Sequence, residues 1–387
     1  DGIIEAVEST EFKPILGVQY HPETFFRHGE MTSMHALFEW LVHEGALYHR
    51  SRKVHESTVT LDSHCDTPMF FPDSQDDVNH MFTTRTDRVL VDLPKMTDGR
   101  LDASIMVAYI PQGERSAQGY REAFALAQKK LDQIEALTRA YPHLLGLASN
   151  PDDLLRFKAQ GIKAIMRGIE NGYAIGRDLS LLSHFRQMGV VYMTLCHNGD
   201  NDICDSSRGQ AEHGGLSAFG QEVVREMNAL GMMIDMSHAA ESSFYDALAL
   251  SQAPIVCSHS SSRALCSHPR NLTDDQMKAL AAQGGVAQVT LYHGFLRHEG
   301  EATVLDALDH LHHMVQVMGP EHVGIGTDFD GDGGVRGLKD ASELIGFTRQ
   351  LLRRRYSESD LQGIWGGNFL RVMRQVQSSA TSHLGLP

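Results

Sequence analysis

His64 and Asp66 stand two residues apart in Val59-Thr60-Leu61-Asp62-Ser63-His64-Cys65-Asp66-Thr67-Pro68, a short β-prone run closed by proline. In a strand, residues i and i+2 share a face, so this imidazole and this carboxylate point the same way, as does Asp62, while Cys65 points away. A nitrogen and an oxygen donor converging at a strand end suit a divalent metal of the zinc type. The same kind of residue recurs further on. The run Ala164-Ile165-Met166-Arg167-Gly168-Ile169 leads into Glu170, and Val190–Leu195 leads through Cys196 to His197. Met233-Ile234-Asp235-Met236-Ser237 ends in His238, Ile255-Val256-Cys257-Ser258 in His259, and Val323-Gly324-Ile325-Gly326-Thr327 in Asp328. Any one of these alone reads as a turn residue or a satisfied polar group. Six apolar runs that each deliver His, Asp or Glu at the same end read as a metal centre. Three neutral imidazoles and two carboxylates suffice for two zinc ions sharing one bridging carboxylate, and Glu170 lies between the others in chain order. Nitrogen donors mixed with oxygens favour zinc over magnesium or calcium. Two such ions can acidify a shared water and polarise a carbonyl.

These residues need a scaffold that brings strand ends together. Candidate strands are Val59–Ser63, Ala103–Tyr109, Ile162–Arg167, Val190–Leu195, Met232–Met236, Pro254–Cys257, Val286–Thr290 and Val323–Gly326. Helical stretches lie between them. Tyr120, Phe124, Ala127, Leu131, Ile134 and Leu137 recur at helical spacing. Asn150-Pro151-Asp152 is a helix start, and Thr273-Asp274-Asp275-Gln276 is a capping box, with Gly284-Gly285 to stop that helix. Apolar strands alternating with helices imply a parallel sheet covered by helices, and eight such units over about 300 residues fit a (β/α)8 TIM-like barrel. An open doubly wound sheet is the alternative, but no glycine-rich phosphate fingerprint follows the first strand. In a barrel all strand C-termini share one face, where active sites are built.

The 387 residues are 42% hydrophobic and 21% charged, with a net charge of −15. These are values of an ordinary globular chain, and they argue against non-specific binding to nucleic acid or an anionic membrane. No apolar run approaches the ~20 residues of a membrane span. Five cysteines, an odd number without a Cys-x-x-Cys pair, fit reduced thiols in a cytoplasmic setting. A first residue of Asp1 rather than Met leads us to expect that the natural N-terminus is missing, which leaves a periplasmic or secreted location open.

Residues 1–46 have another character. Two strand-like runs, Asp1–Glu8 and Ile15–Tyr20, precede His21-Pro22-Glu23 and an amphipathic stretch through Met34, Leu37, Phe38, Leu41 and Val42. This resembles the C-terminal end of a class I glutamine amidotransferase of the γ-glutamyl hydrolase branch, although Tyr20 stands where that family often has Trp. The resemblance implies a strand-turn-helix remnant in which His21 and Glu23 are two-thirds of a triad without its cysteine, hence inert. It implies a parent chain in which an amidotransferase-like domain precedes the barrel of residues 47–387.

Asp62-Ser63-His64-Cys65-Asp66, Gly168-Ile169-Glu170-Asn171-Gly172, Leu195-Cys196-His197-Asn198, Ile234-Asp235-Met236-Ser237-His238, Ser258-His259-Ser260-Ser261, Pro269-Arg270-Asn271 and Gly326-Thr327-Asp328-Phe329-Asp330-Gly331 follow in order. With Gly366-Gly367-Asn368-Phe369 near the end, they make the chain from about 55 to 375 similar to the membrane (renal) dipeptidases, a family of zinc peptidases. The resemblance implies that His64 and Asp66 hold one zinc, His238 and His259 the other, and Glu170 bridges them. It implies that His197 binds the substrate carbonyl and stabilises the oxyanion. Asp328 would carry the proton from attacking water to leaving amine, and Arg270 would hold the substrate's C-terminal carboxylate. The implied reaction is dipeptide hydrolysis by a hydroxide bridging two zinc ions, with C-terminal D-residues tolerated and a homodimer as the family's usual assembly. Two rivals stand beside it. Another binuclear amidohydrolase or phosphotriesterase barrel would carry His-x-His on the first strand and a lysine on the fourth, where this chain has His-x-Asp and no lysine. A non-catalytic binding barrel would have no use for Asp328. Asp330 and Asp332 read as loop residues, and His310, His312 and His313 as helix-surface or packing residues.

Overall fold

The computed structural model describes residues 6–8, 16–18 and 35–380. Two short strands, β1 (Ala6–Glu8) and β2 (Leu16–Val18), pair antiparallel. His21 and Glu23 lie outside the described residues. The helix His35–Ser57 follows as one continuous element that runs through the boundary expected at 46/47. Its second half is docked: Leu47, Ser51, Val54 and His55 are buried, and Glu44 pairs with Arg349 and Arg353 of the helix Leu344–Arg353.

The main sheet consists of β3 (Leu61–Cys65), β4 (Ala103–Tyr109), β5 (Leu145–Leu147), β6 (Lys163–Glu170), β7 (Val190–Thr194), β8 (Met233–Asp235), β9 (Val256–Cys257), β10 (Val286–Val289) and β11 (Val323–Ile325), of which all but β5 form the barrel. Their pairing order is β11-β10-β9-β8-β7-β6-β4-β3, all parallel, with β5 off this path against β6. The eight expected strands are all present, and the sheet bends round so that its two ends meet. Cys65 bridges Phe329 in parallel, Asp66 N donates to Phe329 O at 2.8 Å, and Asp328 N donates to His64 O at 3.1 Å. Near-continuous burial along β3, β4, β6 and β7 is the signature of a parallel sheet covered on both faces.

The unexpected strand β5 explains the length of β6. One flank of β6 pairs with β4 along its whole course, while the other is divided between β5 at Lys163–Ile165 and β7 from Arg167 onward. Three residues with a central glycine are too short for a period-2 pattern to register.

Local signals place the helices as expected. Asn150 caps the helix Pro151–Ala159, Thr273 and Gln276 form the capping box of Asp274–Ala282, and Gly284 adopts φ +81° just beyond it. The core divides in two. One cluster lies between strands and helices. The other fills the barrel's lower interior with Leu61, Ile105, Val107, Met166, Met233 and Val256, and Phe369, Val372 and Met373 of the helix Asn368–Ser378 pack onto it from below. Gly366, in the π-turn before that helix, lies so close to Val59 O that no side chain fits there. The chain's last described helix thus seals the N-terminal end of the barrel and leaves the opposite end open.

Candidate metal centre and catalytic pocket

All the strand-end residues named from the sequence meet at that open end. His64 is the penultimate residue of β3, Asp66 follows that strand, Glu170 ends β6, and His197, His238, His259 and Asp328 follow β7, β8, β9 and β11. The Glu170 carboxylate is their hub. Its Oε1 lies 3.0 Å from His238 Nε2, 3.5 Å from His259 Nε2, 3.7 Å from His64 Nε2 and 4.0 Å from His197 Nε2. His64 Nε2 is also 3.4 Å from Asp66 Oδ2, and His238 Nε2 is 3.0 Å from His259 Nε2. Three overlapping groups can each hold an ion, with donor atoms within 4.8 Å of one another: His64, Glu170 and His259; Glu170, His197 and His238; His64, Asp66 and Asp328.

The donors fit a metal on a second ground. His64 Nε2 and Asp66 Oδ1 are buried without a hydrogen-bond partner, an arrangement that costs free energy unless a cation takes their lone pairs. The opposite edge of each ring explains why Nε2 is the lone-pair nitrogen. Tyr192 Oη donates to Ser63 O at 2.9 Å, so it accepts from His64 Nδ1 at 2.8 Å. Ser258 Oγ donates to the Asp235 carboxylate at 2.6 Å, so it accepts from His259 Nδ1 at 2.9 Å. His238 Nδ1 faces Asn198 Oδ1 at 3.2 Å. With each Nδ1 carrying the proton, each Nε2 is left as a ligand aimed at Glu170.

Charge in the site follows from burial. Burial, and then the neighbouring Asp66 carboxylate, push the Glu170 and Asp328 carboxyls well above their ordinary range. Burial, reinforced by the Arg270 charge, holds His197 down at about 3 and takes His238 well below its ordinary value. Burial does the same to His259, whereas at His64 burial is outweighed by the Asp66 carboxylate, which raises the affinity for a proton that a metal ion would displace. Neutral imidazoles are the form that binds metal. His197 lies slightly apart, its ring 4.2 Å from that of His238 and edge-on to Tyr109 at 4.8 Å. Arg270 is buried, with Nη2 on His259 O at 3.3 Å, its guanidinium 5.2 Å over the Phe295 ring, and Nε without a partner. A cavity of about 360 Å³ opens above these groups and takes in Asp66, Glu170, His197, His238, Arg270 and Asp328.

The family model for membrane dipeptidase (Peptidase family M19) matches residues 48–384. Dipeptidase 3 of Mus musculus is 36% identical over 335 residues, which are 84% of this chain and 66% of that protein. Dipeptidase tcpJ of Claviceps purpurea is 34% identical over 303 residues, 76% of this chain and 71% of the relative. The crystal structure of the probable dipeptidase PvdM from Pseudomonas aeruginosa superposes with a TM-score of 0.81 at 28% identity, covering 87% of this chain and 99% of that one.

The chain belongs to the membrane dipeptidase family.

The chain spans just under two thirds of the length of its mouse relative. Its fold and family are those of a metallo-dipeptidase. Within this family member, the groups not anticipated from sequence are mainly those that hold the converging side chains in place. Tyr192 crosses the barrel to reach His64, and Gly168, its partner on β6, leaves room for the ring. Asp235 accepts from Thr194 Oγ1, Ser258 N, Ser258 Oγ and Ser237 N, and so fixes the β7, β8 and β9 ends together. The available signals were a glycine inside an apolar strand and an acid within Met-Ile-Asp-Met. Asp62, which shares the parity of His64 and Asp66 in sequence, accepts from His64 N and from Thr327 N and Oγ1, so it braces His64 through the backbone. Cys65 is buried against Ser104 and Thr67, away from the centre. Asp330 is a loop tie, accepting from Thr67 Oγ1 and Leu90 N. His310 is a packing residue, accepting from Ser262 N and donating to Leu296 O, and His313 pairs with Asp274.

Proposed function

We propose that this chain hydrolyses the amide bond of dipeptides using two zinc ions, one on His64 and Asp66, the other on His238 and His259, with Glu170 shared between them. One observation carries the reading: four imidazole Nε2 atoms surround a single buried Glu170 oxygen, with a buried arginine beside them. When bound, the ions would lower the pKa of water and polarise the scissile carbonyl. The rest falls to the protein. Arg270 pairs its planar fork with the C-terminal carboxylate of the substrate, where its unpartnered Nε is available. His197, whose affinity for a proton is lowered by burial and by Arg270, donates one N–H to the carbonyl oxygen as negative charge develops there. Asp328, whose affinity for a proton is raised by burial and by Asp66, takes the proton released by attacking water and returns it to the leaving nitrogen as the C–N bond breaks. We include C-terminal D-residues among the substrates, as the family resemblance implies. In this reading residues 47–387 form the catalytic barrel, and residues 1–46 are the closing piece of an amidotransferase-like unit.

Elemental analysis with a panel of L,L and L,D dipeptides tests the proposal: about two zinc ions per chain and turnover of both series are expected. Glu170→Gln removes the shared oxygen's charge, so bound metal and turnover should be lost together. Wild-type metal content in that variant would refute the shared role.

A further inference from the structure

The mouth of the pocket is electrically divided. Going round the barrel, the ends of β7 and β8 stand half a turn from the closing pair β3 and β11. Asp66, Asp328, Asp330 and Asp332 rise from the β3 and β11 side, whereas Arg208 and Arg270 come from the loops after β7 and β9. A dipeptide is a zwitterion, so its ammonium faces the acidic side and its carboxylate the arginines. Arg270 is enough for that carboxylate. Arg208 is a second cation on the same side, exposed, and among the described residues its guanidinium has no carboxylate partner.

Its placement is built. Asp200 accepts from Ser206 N at 2.7 Å and from Gln210 N at 2.6 Å, clamping the turn that carries Arg208. Gly209 packs so tightly on that carboxylate that a side chain there would overlap it. Arg208 N donates to Ser206 Oγ at 3.2 Å, Ser206 Oγ donates to His197 O, and Ser207 N donates to His238 O at 2.8 Å. The turn is therefore tied to the backbone of two residues of the centre. A further bridge, Arg115 to Glu212 at 2.6 Å, holds the same loop from outside. Arg208 and Arg270 line the same cavity, and His268, two residues before Arg270, has its pKa lowered by burial and then by these two charges.

We infer that Arg208 is a specificity determinant that reads a second negative charge on the C-terminal residue, so that dipeptides ending in Asp or Glu are this protein's favoured substrate class. The inference rests on the dipeptidase reading above and adds a residue and a substrate class to it.

The test compares the zinc-loaded enzyme and its Arg208→Gln variant on Ala-Glu and its neutral isostere Ala-Gln, and on the mirror pair Glu-Ala and Gln-Ala. A charge-assisted contact at an accessible site corresponds to about a tenfold preference. In the wild type, kcat/KM for Ala-Glu should exceed that for Ala-Gln by about that factor, mainly through KM, and the ratio should shrink as salt is raised. In Arg208→Gln the ratio should fall to near one, while Arg208→Lys should keep part of it. A wild-type ratio of one or less overturns the inference, as does a ratio that survives in Arg208→Gln. A charge preference seen only in the mirror pair also overturns it. Turnover of neutral dipeptides alongside any of these results leaves the dipeptidase reading standing, whereas no turnover of any dipeptide sinks both.

Discussion

At the scale of single residues, the site depends on groups that stand behind its converging donors. Tyr192 fixes which nitrogen of His64 keeps its proton, because its hydroxyl hydrogen is already committed to Ser63 O. Tyr192→Phe keeps the ring in the core and removes the hydroxyl that accepts from His64 and donates to Ser63 O. We expect zinc affinity to fall by about 10- to 100-fold, the usual cost of deleting such a support. Competition with a chelator of known affinity measures it, and an unchanged affinity would show that packing alone orients His64. The residues that gather round Glu170 were legible in the sequence because metal-binding chemistry restricts its candidates to few residue types at strand ends. Their supports were not. Tyr192 lies among Val190, Val191 and Met193, and nothing local separates a tyrosine that spans a barrel from one that fills a core.

At the scale of elements, the seam between β3 and β11 decides whether the strand ends converge. Inside it, Ser63 Oγ donates to Ser258 O at 2.8 Å and approaches Ile325 O at 3.2 Å, while Gly326 sits against Ser258 O and Ser63 Oγ with no room for another carbon. Gly326 has an ordinary backbone conformation, so the requirement is space rather than φ. Gly326→Ala should therefore destabilise the protein by at least about 3 kcal/mol, or prevent soluble expression. Urea denaturation decides it, and a loss below about 1 kcal/mol would mean that the seam can spread. The eight barrel strands could be read from apolar runs bounded by turn residues. Strand β5 could not, since three residues against the lower half of β6 exist only because that flank is otherwise unpaired.

At the scale of the molecule, the helix His35–Ser57 is bound to the barrel by a buried histidine. His55 Nδ1 donates to Arg100 O at 3.1 Å, its Nε2 accepts from Thr348 Oγ1 at 2.6 Å, and Trp365 lies edge-on at 4.9 Å while donating to the same hydroxyl at 2.7 Å. Burial lowers the pKa of this ring to about 4. The unfolded chain, with an ordinary value near 6.5, takes up the proton first as pH falls. The contribution of His55 to stability is thus complete above about pH 6.5 and is lost progressively down to about pH 4. Between pH 7 and pH 5 this amounts to about 2 kcal/mol. Urea midpoints at the two pH values should differ less in His55→Asn than in the wild type, and an equal difference would exclude the assignment. A last feature is the backbone of the mouth. His238, Asp328, Asp330, Asp332 and Asn171 all have positive φ, and His, Asp and Asn are the side chains that accept such backbone most readily. The conformation of the mouth and its chemistry therefore ask for the same short alphabet of residues. Exchanges among His, Asp and Asn at these positions therefore change the donor atoms offered to the pocket while leaving the backbone they stand on acceptable.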